Sequence, residues 1–185
     1  MSISERDSID IQQVLHRYCR SMDRMDAELA LSCFEPDADL SYGSLYRGTP
    51  SGFVEWLWPV HAAMIGHSHA VSNILISENS DGTCASETYV QVTLRAQDDE
   101  GKFDLVSKGR YLDRWKKRDN VWRICERMYV SDLSTVIPVG ERSLSGVLKP
   151  NASQNRQPSA ARNTTDPSYA MFAGGSPHDV CTPQH

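Results

Sequence analysis

The chain has 185 residues, of which 39% are hydrophobic and 23% are charged, and its formal net charge is −5. It contains no run of about 20 apolar residues, which excludes a membrane-spanning helix, and its acidic balance argues against nucleic acid as a partner. The first residues lack the basic-then-apolar pattern of a signal peptide, so we expect a cytoplasmic protein. The five cysteines form no Cys-x-x-Cys pair, which argues against a zinc ribbon and predicts free thiols.

The start of the chain predicts two helices. Apolar residues recur at helical spacing between positions 11 and 22, and Ser4 and Asp7 are candidate N-caps. A second, short helix is predicted over residues 26–34, where Pro36 follows its end.

A short strand and a third helix follow. The strand is predicted at residues 39–42. Thr49 and Pro50 are typical of an N-cap and of the first residue of a helix, and we expect Pro59 to kink or end this third helix.

The second half of the domain predicts an antiparallel sheet. β-branched and aromatic residues are enriched in four segments that turn sequences separate. The predicted strands are residues 69–76, 84–96, 104–116 and 121–130. Helices followed by an antiparallel meander predict an α+β fold, a cone-shaped α+β barrel in which N-terminal helices pack on a curved sheet.

The composition changes near Pro138. Six of the nine prolines lie at or beyond this position, and from residue 150 onward Phe172 and Val180 are the only Leu, Ile, Val or Phe residues. We therefore expect one domain at residues 1–137 and a largely disordered, Pro-rich and polar tail at 138–185.

A curved sheet covered by helices encloses a cavity. Alternation along the strand at 69–76 places His69, Val71 and Asn73 on one face, together with Leu75. An apolar cavity with a few polar groups is the usual form of a small-molecule site. We expect Val71, Asn73 and, from the third helix, Trp56 to contact a small apolar substrate there.

Six short motifs follow one another within residues 1–134. They are Tyr18-Cys-Arg-Ser-Met-Asp23, Phe34-Glu-Pro-Asp-Ala-Asp39, Tyr46-Arg-Gly48, His69-Ala-Val-Ser-Asn-Ile-Leu-Ile76, Lys108-Gly-Arg-Tyr-Leu-Asp-Arg-Trp-Lys-Lys117 and Asp119-Asn-Val-Trp-Arg-Ile124. In their order and spacing these motifs resemble the SnoaL-like group of the nuclear transport factor 2-like superfamily. The resemblance implies the cone-shaped α+β barrel fold.

The resemblance also implies a catalytic pair. Scytalone dehydratase, hexachlorocyclohexane dehydrochlorinase and bile-acid dehydratase use an aspartate at the end of the first helix with a histidine from a strand, and Asp23 and His69 fall on these positions. Tyr18 and Tyr42 resemble tyrosines of the bile-acid enzyme and of scytalone dehydratase. A further histidine and aspartate of these enzymes meet valines in this chain, and Tyr18 replaces the lysine of the dehydrochlorinase.

Side-chain chemistry supports the same pair. An imidazole suits proton abstraction near neutral pH, and a carboxylate can orient it. Alternatively, Asp23 is a helix-end residue and His69 a hydrogen-bonded strand histidine. His67 and His69 share a strand face and are candidate metal ligands, but no third ligand stands at a convincing spacing, so we expect no metal and no cofactor.

These residues predict a cofactor-independent lyase, a dehydratase or dehydrohalogenase that acts on a small apolar, cyclic substrate. A ketosteroid-type isomerase needs the same first step. An alternative from another class is a non-catalytic ligand-binding or assembly subunit, such as the small subunit of a ring-hydroxylating dioxygenase.

The outer face of the sheet predicts self-association. Apolar positions expected there would be costly to leave in water, so we expect a homo-oligomer, with a trimer favoured over a dimer because two of the three enzymes above are trimeric. These positions are Val90, Val92, Leu94, Leu112, Ile124 and Met128.

Overall fold

The computed structural model describes residues 3–140 and 160–175. The helices are α1 (Glu5–Arg24), α2 (Ala27–Ser32), α3 (Pro50–Ala62) and α4 (Pro167–Phe172). The strands are β1 (Phe34–Ser41), β2 (Arg47–Gly48), β3 (Gly66–Glu78), β4 (Cys84–Asp98), β5 (Gly101–Arg118) and β6 (Val121–Pro138). Within these two ranges, no helix has the length and apolar character that crossing a membrane requires.

Each of the first three helices begins at a side-chain cap. Ser4, Asp26 and Thr49 each accept a hydrogen bond from the backbone N–H three residues further on. Such a cap satisfies one of the backbone donors that the first helical turn leaves free. The caps predicted at Ser4 and Thr49 are confirmed. Pro59 lies inside α3, and the helix continues to Ala62.

The six strands form one curved, open sheet in the order β2-β1-β6-β5-β4-β3. The four long strands make the predicted antiparallel meander, whereas β1 pairs with β6 in parallel. The α+β class, with N-terminal helices on a curved and mainly antiparallel sheet, is confirmed. β6 extends to Pro138 rather than to residue 130, because its last residues continue to pair with β5 as far as Phe103.

α1 packs its apolar stripe against the concave face of the sheet. Ile11 and Leu15 have no exposed surface, and neither has Trp115 on β5, which belongs to the same cluster. Burying side chains of this size stabilises the fold by about 1.5–3 kcal/mol each. The domain is therefore held together by contact between α1 and the sheet.

The outer face of the sheet differs in part from the expectation. Val90 and Ile124 were expected there, but this is wrong, because both are buried in the core under the helices. Val92 also packs partly against that core. Leu112 and Met128 do lie on the outer face, where they line a groove of about 430 Å³. The homo-oligomer, with a trimer favoured, stays a prediction.

A charged pair lies inside the core. Arg127 and Asp113 form two parallel hydrogen bonds of 2.6 and 2.7 Å, and neither side chain is exposed. The guanidinium carbon of Arg127 lies 4.0 Å from the centre of the Tyr111 ring and 4.3 Å from that of Tyr18. A charge so far from water requires a partner, and Asp113 supplies it.

The predicted tail at residues 138–185 lies mostly outside the described residues. Its part at residues 160–175 contains α4 and packs on the C-terminal end of α1. The carboxylate of Asp166 forms an ion pair with Arg24 at 3.3 Å, and the Tyr169 hydroxyl donates a 2.7 Å hydrogen bond to the N-cap of α2. This segment therefore contacts the domain, although its composition is typical of disorder.

Removing one partner of the buried pair should destabilise the fold strongly. We expect Asp113→Ala to lower the free energy of unfolding by about 3–5 kcal/mol, because Arg127 would stay buried without a counter-charge. The double variant Asp113→Leu/Arg127→Met should lower the free energy of unfolding by less than the single variant Asp113→Ala does. Urea denaturation measures both.

The exposed pair Arg114–Glu126 on the same two strands is the control. Glu126→Gln should cost at most about 1 kcal/mol, because water already solvates both charges. If Asp113→Ala lowered the free energy of unfolding by no more than Glu126→Gln does, the buried pair would not have the structural role described here.

Candidate active site

Asp23 and His69 form a hydrogen-bonded pair where α1 meets β3. Asp23 lies in the last turn of α1, which ends as Met25 adopts a left-handed conformation with a φ of 51°. The Oδ1 atom of Asp23 is 2.7 Å from the Nδ1 atom of His69, and Oδ2 accepts a 3.1 Å hydrogen bond from the His69 backbone N–H. The side chains are 17% and 6% exposed, so little water competes for these bonds.

The charge of Asp23 determines what His69 can do. Burial acts to raise the pKa of Asp23, but the neighbouring imidazoles of His67 and His69 outweigh it and hold the pKa below its ordinary value. An ionised carboxylate only accepts hydrogen bonds, so the 2.7 Å contact requires Nδ1 of His69 to donate, and the neutral tautomer that does so leaves the lone pair of Nε2 unused by Asp23. General base catalysis uses this geometry, in which a carboxylate orients an imidazole.

Two more histidines adjoin this pair. His67, two residues before His69 on β3, places Nδ1 3.7 Å from Oδ1 of Asp23. Its side chain is fully buried, and within the described ranges neither of its ring nitrogens has a hydrogen-bond partner. The ring of His61, in the last turn of α3, lies 4.4 Å from that of His67 between centroids.

His61 is held in its neutral form. Burial, followed by the charges of His67 and His69, lowers the pKa of His61 to about 3. The neutral ring of His61 packs beside that of His67 without adding a charge there.

The segment at 160–175 closes one side of this cluster. Arg162 donates a 2.5 Å hydrogen bond to the backbone carbonyl of His61 and lies against the sulfur of Met25. From α3, the Trp58 indole N–H donates to the carbonyl of Met25 at 3.2 Å. The end of α1 that carries Asp23 is thus held by α3 and by the C-terminal segment.

Tyr18 and Tyr42 form a second polar pair. Their hydroxyl oxygens are 2.8 Å apart. Burial raises the pKa of both phenols, so both are protonated and can donate a hydrogen bond. The Tyr42 ring stacks on Phe53 with 4.5 Å between centroids. Among the described residues, no hydrogen bond joins these hydroxyls to Asp23 or His69.

The three predicted substrate contacts have different environments. Trp56 is half-buried and stacks on Tyr46, and Val71 packs against the core. The prediction for Asn73 is wrong. Asn73 is exposed at a bulge with a φ of 46°, and the register shifts there. Beyond the bulge the alternation reverses, so Ile74 rather than Asn73 packs inward.

Sequence reasoning missed His61 and Arg127. His61 lies in the last turn of α3, just beyond Pro59 where a kink or end of the helix is predicted, and no spacing rule connects it with His67. Arg127 follows a register shift between Ile124 and Glu126, which interrupts the alternation that marks buried positions. A buried arginine on a strand has no sequence signal when its partner, here Asp113, is on another strand.

Comparison with known proteins gives the family. A family model for the SnoaL-like domain matches residues 5–128. The chain belongs to the SnoaL-like domain family. No curated protein matches it. The helix α1 and the strand β3, which carry Asp23 and His69, both lie within the residues that match this SnoaL-like family.

Solved structures share the SnoaL-like fold. A protein from Novosphingobium aromaticivorans, provisionally named scytalone dehydratase, is 21% identical over 72% of this chain and 89% of its own, with a TM-score of 0.64. A hexachlorocyclohexane dehydrochlorinase, LinA type 2, is 16% identical over 75% of this chain and 93% of its own, with a TM-score of 0.65. A Mycobacterium tuberculosis protein of unknown function is 27% identical over 68% of this chain and 72% of its own, with a TM-score of 0.57. The first two similarities support the fold alone.

Removing the carboxylate of Asp23 should loosen the join between α1 and β3. We expect Asp23→Ala to lower the free energy of unfolding by about 2 kcal/mol, because it removes two hydrogen bonds to a charged acceptor and leaves the His69 N–H unpaired. Asp10→Ala, which breaks an exposed ion pair with Arg6 on the same helix, should cost less than about 1 kcal/mol. Equal losses in urea denaturation would show that Asp23 has no structural role beyond that of a surface carboxylate.

Proposed function

We propose that this SnoaL-like protein is a cofactor-independent lyase, a dehydratase or dehydrohalogenase that uses His69 as its base. The observation that carries the proposal is the 2.7 Å contact between Asp23 Oδ1 and His69 Nδ1. It directs Nε2 away from the carboxylate, the orientation in which an imidazole can take a proton from a substrate carbon.

The reaction is a β-elimination. His69 Nε2 takes a proton from a carbon of the substrate, and the electron pair of that C–H bond becomes the second bond of a C=C. The leaving group departs from the neighbouring carbon with its bonding pair. A halide leaves as the anion, whereas a hydroxyl leaves as water after a phenol protonates it. Asp23 stabilises the imidazolium that forms.

The tyrosine pair fits the role of proton donor. Tyr18 and Tyr42 are buried, protonated and hydrogen-bonded to one another, so either hydroxyl can pass a proton while the other stabilises the resulting oxygen. Tyr18 also lies on α1, five residues before Asp23, and the same helix therefore positions the donor and the partner of the base.

The substrate class follows from the side chains beside Tyr42. The ring of Phe53 stacks on that of Tyr42. The centroid of the Tyr129 ring lies 5.9 Å from that of Tyr42, and the centroid of the Trp56 ring lies 5.9 Å from that of Phe53. Aromatic faces bind flat or cyclic apolar molecules through area and ring stacking. The structures named for scytalone dehydratase and hexachlorocyclohexane dehydrochlorinase add support, because each name denotes elimination from a ring.

The test is a screen of hydroxylated and halogenated alicyclic compounds, read by product mass. A lyase product is lighter by water or by hydrogen halide. We expect His69→Gln to lower kcat by at least about 100-fold, because the base is lost while the ring's volume is roughly kept. His16→Gln, on the exposed face of α1, is the matched control and should leave kcat unchanged.

Other outcomes identify the alternatives. A product of unchanged mass would show an isomerase that uses the same first step. Turnover that survives His69→Gln would remove His69 as the base. Absence of turnover together with stable co-purification of an iron–sulfur subunit would favour the non-catalytic assembly subunit over a lyase.

A further inference from the structure

Asp23, His67 and His69 bring three metal-ligating groups together. One ligand atom from each lies within 4.8 Å of the other two. We propose that these residues bind a divalent transition metal ion, and that this metal-bound state excludes the action of His69 as a base.

The donor set matches that class of ion. Two imidazoles and one carboxylate suit Zn²⁺, Co²⁺ and related ions, whereas Mg²⁺ and Ca²⁺ prefer oxygen ligands alone. The carboxylate offsets part of the ion's charge.

The separations of the ligand atoms are close to those of a tetrahedral site. Ligands about 2.0–2.1 Å from a tetrahedral Zn²⁺ lie about 3.3 Å apart. Oδ1 of Asp23 is 2.7 Å from Nδ1 of His69 and 3.7 Å from Nδ1 of His67, so the two distances bracket that value. The third separation, between the ligand atoms of His67 and His69, is within 4.8 Å, and side-chain rotation would bring these two atoms to the tetrahedral spacing.

His67 provides independent support. Its side chain is completely buried, and within the described residues both ring nitrogens lack a partner. A buried polar group without a partner costs about 1–3 kcal/mol. No step of the proposed reaction passes through His67, whose Nδ1 atom lies 3.7 Å from Oδ1 of Asp23, and coordination through one nitrogen would give this ring a closer partner.

Metal binding and base catalysis require opposite states of His69. In the base, Nδ1 holds a proton that it donates to Asp23, and Nε2 is free. A metal at Nδ1 displaces that proton, and the neutral ring then carries its proton on Nε2, where it can no longer accept one. This exclusion rests on the proposed function. It predicts that Zn²⁺ inhibits the lyase and that a chelator restores its activity.

Binding is tested without any substrate. The full chain, freed of metal by a chelator, is titrated with Co²⁺ under absorption and with Zn²⁺ by calorimetry. We expect one ion per chain and a visible Co²⁺ spectrum without the sulfur charge-transfer band that a cysteine ligand would produce. His67→Gln should weaken the affinity at least about tenfold, whereas His16→Gln should bind as the wild type does.

A second measurement on the wild type covers the case in which His67→Gln fails to fold. In a spectrum of the ¹⁵N-labelled imidazoles, Co²⁺ should broaden the signals of His67 and His69 before that of His16. Three results would each overturn the site. They are the absence of stoichiometric metal binding, a cysteine charge-transfer band in the Co²⁺ spectrum, and broadening of the His16 signal before those of His67 and His69. Metal binding without lyase turnover would support the metal site and contradict the proposed function. Lyase turnover that Zn²⁺ does not affect would support the proposed function and contradict the metal site.

Discussion

The carboxylate of Asp23 joins the helical layer to the sheet at the point where the side chains of the site meet. Its two oxygens accept hydrogen bonds from the backbone and from the ring of His69, so the end of α1 and the start of β3 share one anchor. The left-handed turn at Met25 ends the helix directly after Asp23. A single charged group thereby ties α1 to β3 and orients the ring of His69.

The core explains why the reactive groups lie at one end of the fold. Beneath α1 the concave face is filled by Trp115 and the pair Arg127–Asp113, which leaves that region closely packed. The histidines lie beyond this packed region, where α1, α3 and β3 converge. Arg162 and the segment around it add a third side, so the histidines are shielded from water although they lie near an edge of the domain.

The sequence predicts the layers well because local rules govern them. Helical spacing, the caps Ser4 and Thr49, and strand composition each act within a few residues, and the structure follows them. The pairing of Asp23 with His69 joins residues 46 positions apart, and only the resemblance to the SnoaL-like group placed them together. No local rule connects the two positions.

The failures have physical causes of the same kind. Asn73 adopts a bulge that reverses the alternation of β3, and a bulge has no reliable sequence signal outside a glycine. Val90 and Ile124 are buried because the helices cover their face, which alternation alone does not decide. His61 and His67 meet only because α3 ends beside the start of β3, a contact that no spacing rule predicts.

The protonation state of His69 tests the central claim most directly. Long-range ¹H–¹⁵N correlation of the imidazoles in the metal-free protein identifies which ring nitrogen carries the proton. The account predicts the Nδ1–H form for His69 and loss of that preference in Asp23→Leu, because the carboxylate fixes the tautomer. An Nε2–H form in the wild type, or a tautomer that is the same in both proteins, would contradict it.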